Sequence, residues 1–257
     1  MASEISPRAE VSPKAKIGDN CKIYPFVYIE DDVVIGDNCI IFPFVSILDG
    51  ARIGNKNQIH QGSVIAALPQ DFDFKGEKSE VIIGDCNVLR ENVVINRGTH
   101  AGGKTIIGNN NFLMEGVHIL HDTKVGDYCV FGYGTKIAGE CEINDGVVLA
   151  SAVLQLPNTR VGEGSTILSG SVFNRDIPPY IIAQGNPAKF VSVNSLLCEK
   201  IGKSDKTIKH IANAYRLVFH GKVSLFDATN QIKDQIPDGP ERQKIIDFLT
   251  TAERGVI

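Results

Sequence analysis

The stretch Ile17-Gly18-Asp19-Asn20-Cys21-Lys22-Ile23-Tyr24-Pro25-Phe26-Val27-Tyr28-Ile29-Glu30-Asp31-Asp32-Val33-Val34-Ile35-Gly36-Asp37-Asn38-Cys39-Ile40-Ile41 sets an isoleucine at every sixth residue and repeats its Ile-Gly-Asp-Asn-Cys corner after eighteen. Stepping outward by six from Ile5 to Phe173, 25 of 29 positions hold Val, Ile, Leu or Phe. A period this short and this strict is the signature of a parallel β-helix. Turn residues follow the aliphatic, as in Ile53-Gly54-Asn55 and Val125-Gly126-Asp127. Short strands therefore alternate with tight corners, and three strands close one coil of eighteen residues. About ten coils are expected.

Four positions break the series: Asp71, Glu77, Ala101 and Gln155. The first three mark excursions over 66–82 and 98–106, after which the phase returns unaltered, so both are expected to be loops extruded from an intact helix. Loops on a rigid scaffold are where binding groups gather. Beyond Pro178-Pro179 the six-residue phase ends. Ile208, Ile211, Ala212, Tyr215, Val218 and Phe219 then recur at helical spacing behind the N-cap Ser204; a second helix is expected after Ser224 and a third after Gly239-Pro240. The chain thus divides into a β-helix over 1–190 and a helical domain over 191–257 that caps the last coil.

A net charge of −4 gives no basic excess of the kind nucleic-acid binding requires. No run of eighteen apolar residues and no signal-like N-terminus occur, which points to a cytoplasmic protein without an integral membrane segment. Cys21, Cys39, Cys129 and Cys141 share one place in the repeat with Val27, Val33, Val45, Ala51 and Ser63. They are expected to be small buried filler and reduced, although Cys21 and Cys39 fall close enough for a crosslink to be conceivable.

His118-Ile119-Leu120-His121-Asp122 carries the most chemistry. His118, His121 and Asp122 avoid the aliphatic positions and project outward. A histidine is suited to general-base work near neutrality, and an adjacent carboxylate can hold its tautomer. Eighteen residues after His121 comes Gly139, whose N–H a substrate oxyanion can approach beside the base. Metal catalysis is the competing reading, because His100 falls eighteen residues before His118 and three histidines could share one face; a non-enzymatic scaffold is another.

Together the segments Pro69-Gln70-Asp71, Ile95-Asn96-Arg97-Gly98-Thr99, His118 to Asp122, Ile137-Ala138-Gly139 and Pro178 to Ala188 resemble the acyl-carrier-protein:UDP-N-acetylglucosamine O-acyltransferase family. The resemblance spans essentially the whole chain and implies a left-handed parallel β-helix. It implies transfer of a (R)-3-hydroxyacyl group from acyl carrier protein to the 3-hydroxyl of UDP-N-acetylglucosamine, the first step of lipid A assembly, without a cofactor or metal. It makes His121 the general base, Asp122 its orienting partner and Gly139 the oxyanion-binding amide. Gln70, Asp71, His118, Glu140, Asn194 and Lys200 become substrate-binding residues, and the assembly becomes a homotrimer with active sites between neighbours. Lys189, Lys200, Lys203, Lys206, Lys209, Arg216 and Lys222 are candidates to dock the acidic carrier protein. Glu140 and Leu156-Pro157 stand where the family usually has a histidine and a His-Gln pair, Asp73 where it has a lysine and Lys200 where it has an arginine. A related N-acyltransferase carries an extra N-terminal domain, whereas here the repeats begin at Ile5.

Overall fold

The computed structural model describes residues 2–257, and its first 26 strands wind as a left-handed parallel β-helix. Most of these strands are two residues long, and each pairs with the strand one coil before and after it. Three faces result, of eleven, nine and eight strands once the two strands that follow these 26 are counted on the first; the first begins Glu4–Ile5, Lys22–Ile23, the second Glu10–Val11, Tyr28–Ile29, and the third Lys16–Ile17, Val34–Ile35. The isoleucines stack in register down each face, Ile5 on Ile23, Ile23 on Ile41 and Ile41 on Ile59. From the second coil on they are at most 3% exposed, and this column of aliphatic contacts is the core. Ile5, with no coil beneath it, is 46% exposed.

Corners are held by side chains that reach along the helix axis. On the corner between the third face and the first, Asp37, Asn55, Asp85, Asn109, Asp127 and Asp145 each accept, through Oδ1, the N–H of the corresponding residue one coil earlier. That oxygen occupies the space a side chain would need at the preceding glycine: a Cβ on Gly108 would lie 2.2 Å from Asp127 Oδ1. On the inner side of the same corner Asn57, Asn87 and Asn111 form a buried amide column that ends on the Cys129 N–H. Cys21, Cys39 and Cys129 continue this column, whereas Cys141 sits on another with Thr123 and Thr159. All six cysteines are free, and burial pushes Cys39 up to about 11 and Cys129 up to about 12.

Register explains why the sequence phase survives its interruptions. Ile59 pairs with Leu89, a coil of 30 residues, and Leu89 with Leu113, a coil of 24, against 18 in the other coils up to Phe173. Both excesses are multiples of six. The excursions themselves are residues 68–79 and 97–103, a little shorter than the sequence suggests, because strands Val64–Ala67, Glu80–Ile83 and Lys104–Ile107 run on into them. The long coil also corrects the histidine arithmetic: Val94, not His100, pairs with His118, and His100 lies in the second loop. Gln155, off pattern in sequence, is still interior and fully buried, bonding Thr159 O through Nε2 at 3.0 Å.

The ninth coil closes its third side with a single bridge, Val161 to Ile177. Strand Ile181–Gly185 then adds to the first face and turns back antiparallel as Ala188–Val193, so the sheet outlasts the six-residue phase. Four helices follow: α1 (Ser195–Lys200), α2 (Asp205–His220), α3 (Leu225–Gln235) and α4 (Pro240–Thr250). Ser204 and Ser224 cap α2 and α3 by accepting the Thr207 and Asp227 N–H groups. The short α1 is absent from the sequence reading because six residues are too few to show a helical period. Docking onto the β-helix runs through the buried Tyr215 hydroxyl, 2.6 Å from Pro179 O, and through Arg160, which pairs with Asp176 and reaches Thr251 and Phe248 O on the far side.

Candidate active site

Both loops leave from one corner, the bend between the second and third faces. On the following coils the same bend is turned by His121-Asp122, then Gly139-Glu140, then Pro157-Asn158. A single edge of the prism therefore carries Asp71, His121, Asp122, Gly139 and Glu140, with His118 on the second face beside it.

His121 is 9% exposed although it points out of the coil. Its Nδ1 lies 3.1 Å from Asp122 Oδ2 and its Nε2 lies 3.3 Å from Asp71 Oδ2. The ring rests on Gly139, where a Cβ would come within 2.4 Å of both Cε1 and Nε2, so only glycine admits the imidazole there. The next residue, Glu140, donates its N–H to His121 O at 3.0 Å, while the Gly139 N–H bonds no acceptor among the described residues. One basic ring, two carboxylates and one unspent amide donor thus share a few ångströms.

His118 lies on the second face, one residue off the core column, and contacts Asn96 rather than His121: its Nε2 is 2.6 Å from Asn96 Oδ1. Because Asn96 gives its Nδ2 to Leu68 O at 2.5 Å, its oxygen is the acceptor and His118 carries its proton on Nε2. Burial, then the Lys136 ammonium, holds His118 below the ordinary histidine value. Asn96 also ties the start of the 68–79 loop to the coil, and Arg97 lies over the Phe74 ring with one N–H to Asp49 O at 2.9 Å. The sequence reading gave no role to Asn96 or Arg97, and the signal was there: both stand where a β-helix strand passes into the second loop.

The side chains of the other sequence-marked residues are not brought to the His121 ring within this chain. Gln70 is exposed in the loop. Glu140 lines a groove with Glu142, Asn158, Arg160 and Arg254. Asn194 is buried at the start of α1 with its amide spent on Gly164 O and Thr166 Oγ1, and Lys200 is exposed at the end of that helix. Both follow the ninth coil, while His121 belongs to the sixth. Of the candidate docking lysines, Lys203 is committed inside the fold, 2.8 Å from Glu241 and stacked over Tyr180.

Comparison with known proteins extends from end to end. The family model "Udp N-acetylglucosamine O-acyltransferase; Domain 2" matches residues 176–257, and the bacterial transferase hexapeptide model matches 14–41, 32–67 and 104–139. A curated protein of Stenotrophomonas maltophilia (strain K279a), named as an acyl-carrier-protein:UDP-N-acetylglucosamine O-acyltransferase, is 37% identical over 258 residues, covering 100% of this chain and 98% of its own. One of the same name from Halorhodospira halophila is 34% identical, with 99% of each chain covered. Among solved structures, a UDP-N-acetylglucosamine acyltransferase from Bacteroides fragilis 9343 superposes with a TM-score of 0.97 at 48% identity, covering 98% of this chain and 99% of that one.

Proposed function

The chain belongs to the acyl-carrier-protein:UDP-N-acetylglucosamine O-acyltransferase family, and from that premise we propose that its acyl transfer runs through His121 as general base. The enzyme is an O-acyltransferase that takes an acyl group from acyl carrier protein to UDP-N-acetylglucosamine in lipid A synthesis. The finer reading assigns a (R)-3-hydroxyacyl donor and the sugar 3-hydroxyl as acceptor. No helix among the described residues is long and apolar enough to cross a membrane. We place the enzyme in the cytoplasm.

The observation that carries the mechanism is the setting of His121 between Asp122 and Asp71, against a glycine whose N–H is unspent. With a carboxylate at each nitrogen, the ring can donate to both only as imidazolium. An acceptor hydroxyl that replaces Asp71 at Nε2 leaves the Nδ1–H tautomer, held by Asp122, with Nε2 free to take a proton. As that proton leaves, the sugar oxygen attacks the thioester carbonyl carbon, and the Gly139 N–H stabilises the oxyanion that forms. Collapse breaks the C–S bond, and Nε2–H returns its proton to the departing thiolate. Asp71, released from the ring, is then free to accept from a sugar hydroxyl, with Gln70 beside it on the loop. His118, neutral and fixed as the Nε2–H tautomer, offers its Nδ1 lone pair to a sugar donor.

Asn194 and Lys200 meet this site only if another copy supplies them, which supports a homotrimer with each active site between neighbours. The carrier protein is acidic, and Lys206, Lys209 and Arg216 are exposed along one stripe of α2. They form the docking surface in this reading, without Lys203. Charge reversal at Lys206 and Lys209 should lower kcat/KM for the acyl carrier protein about tenfold at low salt and much less at high salt. Equal rates at low salt would remove these lysines from the docking surface.

The reaction itself is tested by supplying (R)-3-hydroxyacyl carrier protein and UDP-N-acetylglucosamine and detecting the O-acylated nucleotide sugar by mass. His121→Ala is expected to lose at least about a hundredfold in kcat. Absence of product from the native protein would reject the substrates, and full activity in His121→Ala would reject the base.

A further inference from the structure

We infer that the 97–103 loop and Thr105 form a seat for the Asp122 carboxylate, which makes Gly98, Thr99, Gly103 and Thr105 positioning residues for the His121–Asp122 pair. The inference rests on the reading of His121 as general base and supplies what holds that base's partner in place.

The argument begins with an irregularity in backbone pairing. At ordinary corners the left-handed residue donates its N–H to a carbonyl one coil earlier: Asn38 to Asp19, Lys56 to Asp37, Glu140 to His121 and Asn158 to Gly139. Asp122 is such a residue, with φ 57°, but the coil before it has lost that corner to the loop. Its N–H goes instead to the Thr105 hydroxyl, at 2.9 Å. Thr105 is fully buried, so the replacement fixes the Asp122 backbone as firmly as the repeat would.

The loop then closes on the side chain. Thr99 donates its N–H to Asp122 Oδ2 at 2.8 Å, and this same oxygen faces His121 Nδ1. Oδ1 lies against two glycines: a Cβ built on Gly98 or on Gly103 would stand 2.7 Å from it. Neither glycine adopts a left-handed φ, so the backbone conformation does not demand glycine at either place. At Gly103 the nearest atom to an added Cβ is the carboxylate oxygen itself. The carboxylate is thus gripped by one amide donor and two bare α-carbons, and it has little freedom to turn away from the imidazole. At metal sites, removing a group that orients a histidine ligand costs roughly ten- to hundredfold, and an effect of the same order is expected for a group that orients the partner of a catalytic histidine.

The test uses the full-length enzyme with both substrates, and imidazole 15N shifts as a readout independent of turnover. Gly103→Ala should lower kcat about tenfold or more with KM for the nucleotide sugar within about twofold, and should convert His121, in the complex with the nucleotide sugar, from the Nδ1–H tautomer to a mixture. Thr105→Val, which keeps the buried shape and removes only the acceptor, should act in the same direction and serves if Gly103→Ala does not fold. Placing Gly103→Ala on Asp122→Asn should add no more than about twofold to the loss from Asp122→Asn alone, because the seat acts through that carboxylate. Multiplying losses in the double variant, or an unchanged His121 tautomer in both Gly103→Ala and Thr105→Val, would overturn the seat. Full activity in Asp122→Asn would likewise overturn the seat, whereas full activity in His121→Ala would overturn the general-base reading on which it rests.

Discussion

His118 shows how a single residue's surroundings set its chemistry. The Asn96 amide is oriented by Leu68 O, and this leaves His118 one tautomer, with a proton on Nε2. Burial disfavours its charged form, as it does for His60, which stacks on Phe42 and lies 3.5 Å from Glu91. Both therefore take up protons at lower pH in the folded chain than in the unfolded one. Stability should fall as the pH drops through the ordinary histidine value of about 6.5 toward their depressed values, because the unfolded state gains protons first. Melting temperatures between pH 7.5 and 5.5 should decline in the native protein and decline less in His118→Gln. Parallel slopes would mean that His118 contributes nothing to the pH dependence.

At the scale of the element, the corner column alternates charge over its middle stretch, from Asp37 to Asp127, for a physical reason, while Asp19 and Asp145 extend it at the two ends. Asp37, Asn55, Asp85, Asn109 and Asp127 stand one coil apart, at the spacing of about 4.8 Å that neighbouring strands impose. Asparagines separate the first three aspartates and give an extra Nδ2 bond, at 3.2 Å from Asn55 to Asp85 and 3.1 Å from Asn109 to Asp127. Asn109→Asp would delete one such bond and set a third like charge between Asp85 and Asp127. A loss of about 1 kcal/mol is expected from denaturant titration at low salt, with part of it recovered in high salt as the repulsion is screened. A salt-independent change would locate the effect in the lost hydrogen bond alone. The repeat itself was readable in the sequence because every coil solves the same packing problem; the alternation within it follows once the corner residues are stacked.

Over the whole molecule, the two ends of the proposed site are three coils apart in one chain: His121 on the sixth coil, Asn194 and Lys200 beyond the ninth. If neighbouring copies bring them together, two inactive variants should repair each other. Mixed assemblies of His121→Ala and Lys200→Ala chains, refolded or expressed together, should recover roughly a quarter of the native rate wherever a site draws both intact residues from different chains. Recovery no greater than the sum of the separate variants would place the whole site within one protomer.

Legible in the sequence alone are the β-helix, the position of both loops, the capping serines of the helical region, and the stacking of Gly139 against His121. These rest on local periodicity and residue type, which one dimension records. The loops, however, lengthen two coils by twelve and six residues, and no count of eighteen can see across them; for that reason His100 was stacked beneath His118 when Val94 is there. Only the tertiary structure brought Asp71 to His121 Nε2, Asn96 to His118, and Gly98, Thr99 and Gly103 around Asp122. It also withdrew Lys203 into an ion pair with Glu241. Each of these depends on where an extruded loop or a packed helix returns to the scaffold, and that is decided by contacts between residues distant in sequence.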